Sequence, residues 1–177
     1  DMDDYEIVWE WDIWDHTIQD VDPSLPNYGV IDENPQLIDI NAGNTTGSDW
    51  LHFNSIDYNS SLDQILLSSR TMNEIYIIDH STTTEEARNH LGGNAGKGGD
   101  LLYRWGNPSS YDQGNELDQK LFSQHNARWI REENIGQGNI LIFNNQAGLP
   151  SGIQYSSIVE IEPSLNDYNY NLQSGSF

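Results

Sequence analysis

The amino-acid sequence predicts an all-β fold built from short antiparallel strands that recur in four-stranded units. Three observations carry this prediction. Runs of β-branched and aromatic residues of strand length follow one another along the chain, turn residues separate them, and one strand pattern occurs twice. A short stretch at 84–91 has a helical pattern, and helix is otherwise nearly absent from the prediction.

The first predicted strand covers residues 6–11, which alternate in character and are rich in tryptophan and β-branched residues. An acidic stretch with three prolines follows and predicts a loop over 19–47, interrupted by a short strand-like element at 37–40. A loop of this length is typical of a binding role or of a disordered segment.

Four more strands are predicted in close order. They cover 52–58, 63–69, 74–80 and 100–105. A glycine-rich insertion at 92–99 precedes the last of them. It lacks the strand before, the helix after and the Gly-Lys-Ser/Thr ending of a phosphate-binding loop, so we interpret it as a flexible insertion.

The strand pattern then restarts, with predicted strands at 124–130, 139–144 and 156–162. Residues 8–11 resemble 102–105, so they are interpreted as the last strand of a preceding unit. Repeated four-stranded meanders are the sequence signature of a β-propeller. We therefore predict that residues 1–177 are part of one β-propeller domain, with a blade end at 5–15, a full blade at 50–106 and a partial blade at 122–163.

The composition excludes several classes of function. Seven basic and 28 acidic residues give a formal net charge of −21, so the chain has no general attraction for DNA, RNA or an anionic membrane. The absence of cysteine excludes disulfides, thiolate catalysis and zinc–thiolate sites. No apolar run approaches the ~20 residues of a membrane span, and no signal peptide is visible. Because the chain starts at Asp1 and its units are repeats, we expect it to be part of a longer sequence.

Two histidines, His52 and His125, occupy matching places at the start of the first strand in the two copies. First strands line the channel of a propeller, so both imidazoles are expected to reach one pocket and to act as base, nucleophile or hydrogen-bond donor. Asn54 and Asn126 could donate amide hydrogen bonds to an oxyanion. Arg70 could bind a sulfate or phosphate group, or be a turn residue paired with a surface carboxylate. The alternative to a catalytic role is that the two histidines only form hydrogen bonds with the backbone or with solvent.

The other three histidines carry weaker signals. His80 and His90 are interpreted as surface residues, and His16 stays unassigned. No His-x-His or His-Glu-x-x-His spacing is present, so the sequence predicts no metal site and no cofactor.

Five segments, in order and with fitting spacing over residues 6–162, resemble the bacterial arylsulfate sulfotransferase family; they are 49–55, 65–70, 122–129, 142–145 and 155–160. The resemblance implies a six-bladed propeller, periplasmic or secreted, that moves a sulfuryl group from a phenolic sulfate ester to a phenol without a nucleotide donor. It also implies a ping-pong reaction through a sulfated histidine, supported by two further histidines and an arginine. His52 and His125 match the supporting histidines, and the sulfated histidine is expected beyond this chain.

One position departs from the family pattern. Family members carry an arginine just after a Phe-Asp-Asn-Gly segment, where this chain reads Phe-Asn-Asn-Gln at 143–146 and continues with Ala147, Gly148 and Leu149. Either Arg70 or Arg128 compensates, or the substrate differs, or the activity has been lost.

The leading hypothesis is an arylsulfotransferase-like enzyme acting on an aryl sulfate and a phenol. The alternative is a non-catalytic propeller that binds a ligand or a partner protein through its aromatic and Asn-rich loops. A quinone-dependent dehydrogenase propeller is disfavoured, because the Trp-rich strands lack the regular docking repeat of that family.

Overall fold

The computed structural model describes residues 6–43 and 47–171, which are mostly β-structure with little helix. Residue 5 of the predicted blade end and residues 44–46 of the predicted loop lie outside these ranges. In chain order the strands are β1 (Thr17–Ile18), β2 (Ile38–Asp39), β3 (Phe53–Asn59), β4 (Gln64–Ser69), β5 (Glu74–Asp79), β6 (Tyr103–Trp105), β7 (His125–Trp129), β8 (Ile140–Asn144), β9 (Ser157–Ile161), β10 (Leu165–Asn166) and β11 (Asn169–Tyr170).

The first large sheet is an antiparallel meander in the order β3-β4-β5-β6. Its two central strands, β4 and β5, are buried along their whole length. Both faces of the sheet are covered, since Leu66 and Ile77 pack toward the second sheet while Ile65 and Ile78 pack against Ile38 and its neighbours. Burial on both faces explains why the sequence shows continuous apolar runs here instead of alternation.

The second large sheet has the order β7-β8-β9. Ile140 and Ile142 of β8 point into a core that both sheets share, whereas Leu141 and Phe143 are exposed on the far face. This alternation is typical of a sheet with one covered face. The strands of both sheets agree with those predicted from the sequence to within a few residues.

Residues 6–12 form no strand, so the prediction of a strand at 6–11 was wrong. The two tryptophans of this segment pack instead against the covered face of the first sheet. The indole N–H of Trp9 donates to Thr82 Oγ1 at 3.2 Å, and that of Trp11 donates to the carbonyl of Gly99 at 2.8 Å. Any extended segment lying on a surface turns alternate residues toward it, so alternation alone does not require a strand partner.

Helical structure is limited to short pieces, and no helix in the described residues has the length and hydrophobicity that a membrane span needs. Helix α1 (Thr84–Ala87) confirms part of the helix predicted at 84–91, and Thr83 and Glu86 close its start as a capping box. The remaining helical pieces are 3₁₀ turns at Ile13–His16, Pro108–Tyr111, Glu116–Asp118 and Leu149–Ser151.

The glycine-rich insertion has an organised backbone that folds back on the first sheet. Gly98 N–H donates to Gly92 O at 3.0 Å, and Ala95 N–H donates to Asp79 Oδ2 at 2.9 Å. Gly98 has a φ of 57°, and a Cβ there would lie 2.1 Å from Asn89 O. The insertion therefore needs glycine at position 98, where its backbone passes close to the backbone of Asn89.

The described part of the long predicted loop, residues 19–43, is also structured. Its short predicted element is present as β2, which pairs in parallel with β1. At the other end of the chain the β10–β11 hairpin returns to the first sheet, where the hydroxyl of Tyr170 donates to Gln64 Oε1 at 2.8 Å.

Candidate functional site

The first strands of the two sheets, β3 and β7, lie side by side and run in the same direction. Side chains of β3 bond the backbone at β7. Asn54 Nδ2 donates to Gln124 O at 2.7 Å, while Asp57 Oδ2 accepts from Trp129 N–H at 3.0 Å. Because both contacts join residues about 70 positions apart, the two strands begin at the same end. His52 and His125 therefore stand at the same end of adjacent strands.

His52 precedes β3 directly and has a φ of 46°, a left-handed backbone conformation that is uncommon outside glycine. Its Nδ1 bonds the carboxylate of Asp49. A carboxylate accepts, so Nδ1 of the neutral ring carries the hydrogen. In the described parts of the chain, Nε2 has no partner, and the side chain is 38% exposed. The ring is therefore held by one nitrogen and offers the other.

His125 begins β7 and is held in the same manner. Its Nδ1 lies 3.1 Å from the carbonyl oxygen of Ser123 and 3.0 Å from Asn145 Oδ1. A carbonyl oxygen can only accept, so Nδ1 again carries the hydrogen. Nε2 makes no hydrogen bond with any described residue. The two imidazoles thus present the same nitrogen for chemistry.

Arg70 follows β4 and is joined to the His52 segment through the backbone, where its N–H donates to His52 O at 3.2 Å. Arg70 is half-buried as a residue, and its guanidinium makes no hydrogen bond or ion pair within residues 6–43 and 47–171. The alternative interpretation, a surface ion pair, is therefore not seen there. Arg128 is exposed, and its Nε donates to Asn126 Oδ1 at 2.6 Å. Of the two arginines considered as replacements for the family arginine, Arg70 is the one whose guanidinium has no partner in the part of the chain that the structure describes.

The two asparagines proposed as substrate-binding residues have other contacts. Asn54 uses Nδ2 to join the sheets, and its Oδ1 is buried without a hydrogen-bond partner. Asn126 lies in a β-bulge between His125 and Arg128, with a φ of 57° and an exposed side chain. Substrate binding by either residue stays a prediction.

Gln124 is a residue that the sequence interpretation missed. Its side chain is fully buried and crosses into the first sheet, where Nε2 lies 2.9 Å from both Ser69 O and Glu74 O. Through these bonds it fixes the backbone that carries His125. A signal was present in the sequence, because Gln124 occupies the place that apolar Leu51 has beside His52.

A buried ion pair supports the same end of the first sheet. Arg104 donates to Glu74 from Nε at 2.9 Å and from Nη2 at 2.5 Å, and both side chains are buried. Burial lowers the pKa of Arg104, but the charge and hydrogen bonds of Glu74 outweigh it and hold this pKa above its ordinary value. Burial and the charge of Glu74 both raise the pKa of Tyr76, whose hydroxyl donates to Glu74 at 3.0 Å. This pair was not predicted from the sequence.

Among the described residues, the side chains of His16, His90 and Asp100 lie close enough together to hold a metal ion. This cluster includes neither His52 nor His125.

A comparison with protein families gives a match to the model described as Arylsulfotransferase (ASST), which covers residues 1–162. A comparison with curated proteins gives no match. The family match includes both large sheets, the two anchored histidines and Arg70. It covers far more than half of the 177 residues, and on this basis the chain belongs to the arylsulfotransferase (ASST) family.

Proposed function

We propose that the protein transfers a sulfuryl group from a phenolic sulfate ester to a phenol, and that His52, His125 and Arg70 bind this group. One observation carries the proposal. Two imidazoles at the same end of adjacent strands are each held at Nδ1 and offer Nε2, and the backbone of Arg70, whose guanidinium has no partner among the described residues, bonds the backbone of His52.

The chemistry of sulfuryl transfer suits these three residues. In the first half-reaction the S–O bond to the donor phenol breaks as an S–N bond to a histidine forms, and the departing phenolate takes up a proton. In the second the S–N bond breaks as an S–O bond to the acceptor phenol forms, and the proton of the acceptor is released. Negative charge on the sulfuryl oxygens and the leaving oxygen must be stabilised meanwhile. A guanidinium binds two such oxygens at once. Because Nδ1 already carries a hydrogen, Nε2 donates to a third oxygen when the ring is an imidazolium, and in the neutral ring its lone pair accepts a proton. The transfer is proposed to pass through a sulfated histidine, a role not assigned to any of the five histidines here.

We also propose that the two large sheets are neighbouring blades of a propeller. They share one core, and their first strands lie in parallel register. The far face of the second sheet exposes Leu141, Phe143 and Ile158, the apolar surface that a further blade would cover. A periplasmic or secreted location is proposed from the family resemblance, and cell fractionation tests it.

The enzymatic proposal is tested with a chromogenic aryl sulfate and a phenol acceptor, using protein expressed from its complete gene. His52→Ala and His125→Ala are expected to lower kcat by about 10²–10³-fold, the usual effect of removing one donor from a charged transition state. His80→Ala is the matched control. Its Nδ1 also bonds a carboxylate, that of Asp63, but it follows β5 at the opposite end of the sheet.

Turnover that both substitutions leave unchanged would refute the assignment of these residues. No turnover by the unaltered protein with any aryl sulfate would favour the binding module instead.

A further inference from the structure

Two histidines and an aspartate meet at the base of the glycine-rich insertion. His16 ends the 3₁₀ turn Ile13–His16, while His90 and Asp100 flank the insertion. Nδ1 of His16 lies 2.9 Å from Asp100 Oδ1, and Nδ1 of His90 lies 2.7 Å from the same oxygen. His16 is fully buried, the Asp100 side chain is 7% exposed, and that of His90 is 59% exposed.

Both ring nitrogens of His16 face hydrogen-bond acceptors. Nε2 lies 2.7 Å from the carbonyl oxygen of Ala87, which can only accept, so Nε2 carries a hydrogen. In the neutral ring Nδ1 then carries a lone pair, and it faces a carboxylate oxygen, which also accepts. Two acceptors at 2.9 Å in a buried place are stable only with a proton or a metal ion between them.

We propose that His16, His90 and Asp100 bind a divalent transition-metal ion, with Zn²⁺ as the ion that fits best. Two imidazole nitrogens and one carboxylate oxygen form a donor set that zinc accepts, with a water molecule in the fourth position. Ala87 O would hold His16 in the tautomer that leaves Nδ1 open to the metal, as carbonyl groups behind metal-binding histidines do.

Zinc binding requires a small increase in the distances between the ligand atoms. The ligand atoms all lie within 4.8 Å of one another. Tetrahedral zinc with bonds of about 2.0–2.1 Å places its ligand atoms about 3.3 Å apart, so the contacts at Asp100 must open by about 0.5 Å. His90 is the exposed member, in the segment between β5 and β6 and outside both sheets, and can make this shift. Asp15 and His90 line one surface cavity of about 360 Å³, from which water can reach the cluster.

The surroundings of His16 hold its ring in place without a metal. Trp11 stacks on the imidazole with ring centroids 5.7 Å apart and planes 2° from parallel. The indole N–H of Trp11 bonds Gly99 O, and a Cβ on Gly99 would lie 2.4 Å from His16 Nε2. Any side chain at position 99 would therefore displace the ring. Such preorganisation lowers the cost of binding.

The site would tie the chain before β1 to the insertion between β5 and β6. Motif spacing does not reveal it, because Asp100 lies 84 residues from one histidine and 10 from the other. The inference departs from the sequence prediction of no metal site. It is independent of the proposed sulfuryl transfer, because the cluster shares no residue with His52, Arg70 and His125.

The test measures Zn²⁺ binding to the whole chain by titration calorimetry at neutral pH, after removal of metals with a chelator. We expect one Zn²⁺ per chain and a rise in Tm on binding. His90→Ala, an exposed position, should lower the affinity at least about tenfold. His80→Ala is the control, because this histidine also bonds a carboxylate oxygen through Nδ1, at 2.7 Å. Co²⁺ in place of Zn²⁺ should give a visible spectrum typical of nitrogen and oxygen ligands.

Three results would overturn the proposal. They are the absence of saturable binding, a stoichiometry well below one, and equal affinity in His90→Ala and the unaltered protein. Circular dichroism of the His90→Ala variant verifies its folding, so that loss of binding is read as loss of a ligand.

Discussion

The side-chain amide of Asn54 donates a hydrogen bond of 2.7 Å to the main-chain carbonyl of Gln124, the residue before His125. Asn54 itself lies two residues after His52. The two proposed sulfuryl-binding histidines belong to different sheets, and this bond joins the backbones that carry them. The geometry of the site therefore depends on how the sheets dock, and the first prediction concerns the residue that receives the bond.

Gln124→Ala is expected to destabilise the fold by about 1–3 kcal/mol, because Ser69 O and Glu74 O lose their buried donor. For a domain of this size that corresponds to a fall in Tm of about 2–4 °C per kcal/mol. Thermal unfolding followed by circular dichroism measures it. Gln154→Ala, at an exposed position, is the control and should leave Tm unchanged. Equal Tm values for the two variants would contradict the anchoring role.

Arg70→Ala is expected to lower kcat for aryl sulfate turnover by about 10²–10³-fold if its guanidinium stabilises the sulfuryl oxygens. Arg70→Lys should recover part of the loss, since an ammonium keeps the charge but not the two parallel hydrogen bonds. Arg88→Ala is the control, because Arg88 is half-exposed and pairs with Glu10 at 3.1 Å. Initial rates measured over a range of donor concentrations separate kcat from KM. A loss shared equally by the Arg70 and Arg88 variants would rule out a specific role.

Glu74→Gln is expected to cost about 3–5 kcal/mol of stability, because it leaves the charge of Arg104 buried without its carboxylate. The double variant Glu74→Gln/Arg104→Met should be more stable than the sum of the two single effects predicts, since it removes both charges. Urea unfolding of the unaltered protein, the two single variants and the double variant gives the free energies of this double-mutant cycle. Additive effects would show that the two side chains do not depend on each other.

Asp39→Asn is expected to stabilise the fold at pH 7. Burial raises the pKa of Asp39, helped by the charges of Asp20 and Asp112. A raised pKa means that the carboxylate form is less favourable in the folded state than in the unfolded chain. Stability is therefore lost as the pH rises from the ordinary value of 3.8 through the raised pKa. An asparagine oxygen can still accept from Asn41 N–H, the bond that Asp39 makes at 2.8 Å.

The measurement is Tm of the unaltered protein and of the Asp39→Asn variant between pH 3 and pH 8. The advantage of the variant should shrink as the pH falls and vanish below the ordinary carboxyl pKa, where both proteins are neutral at this position. A variant that is less stable at pH 7 would show that the carboxylate has a favourable role.

The strands of the two large sheets could be predicted because their apolar and alternating patterns are local. Continuous runs mark β4 and β5, which are covered on both faces, and alternation marks β8. Residues 6–11 were misjudged because their alternation comes from packing of Trp9 and Trp11 on a sheet face.

The matching places of His52 and His125 could also be read from the sequence, since strand repeats carry equivalent positions to equivalent ends. The contacts that hold these residues could not. Gln124 reaches Glu74 across 50 residues, and Arg104 reaches the same glutamate across 30. Such pairs depend on how the sheets pack, which no local pattern encodes. The cluster at Asp100 was missed for the same reason.

The main-chain N–H groups of Ala127 and Trp129 donate to side chains of β3, Ser55 Oγ at 3.0 Å and Asp57 Oδ2 at 3.0 Å. Their protection from hydrogen–deuterium exchange therefore depends on the neighbouring sheet staying in place. Exchange at these two amides is a direct readout of transient sheet separation. Exchange at these amides would report opening events in which His52 and His125 move apart while each sheet stays folded.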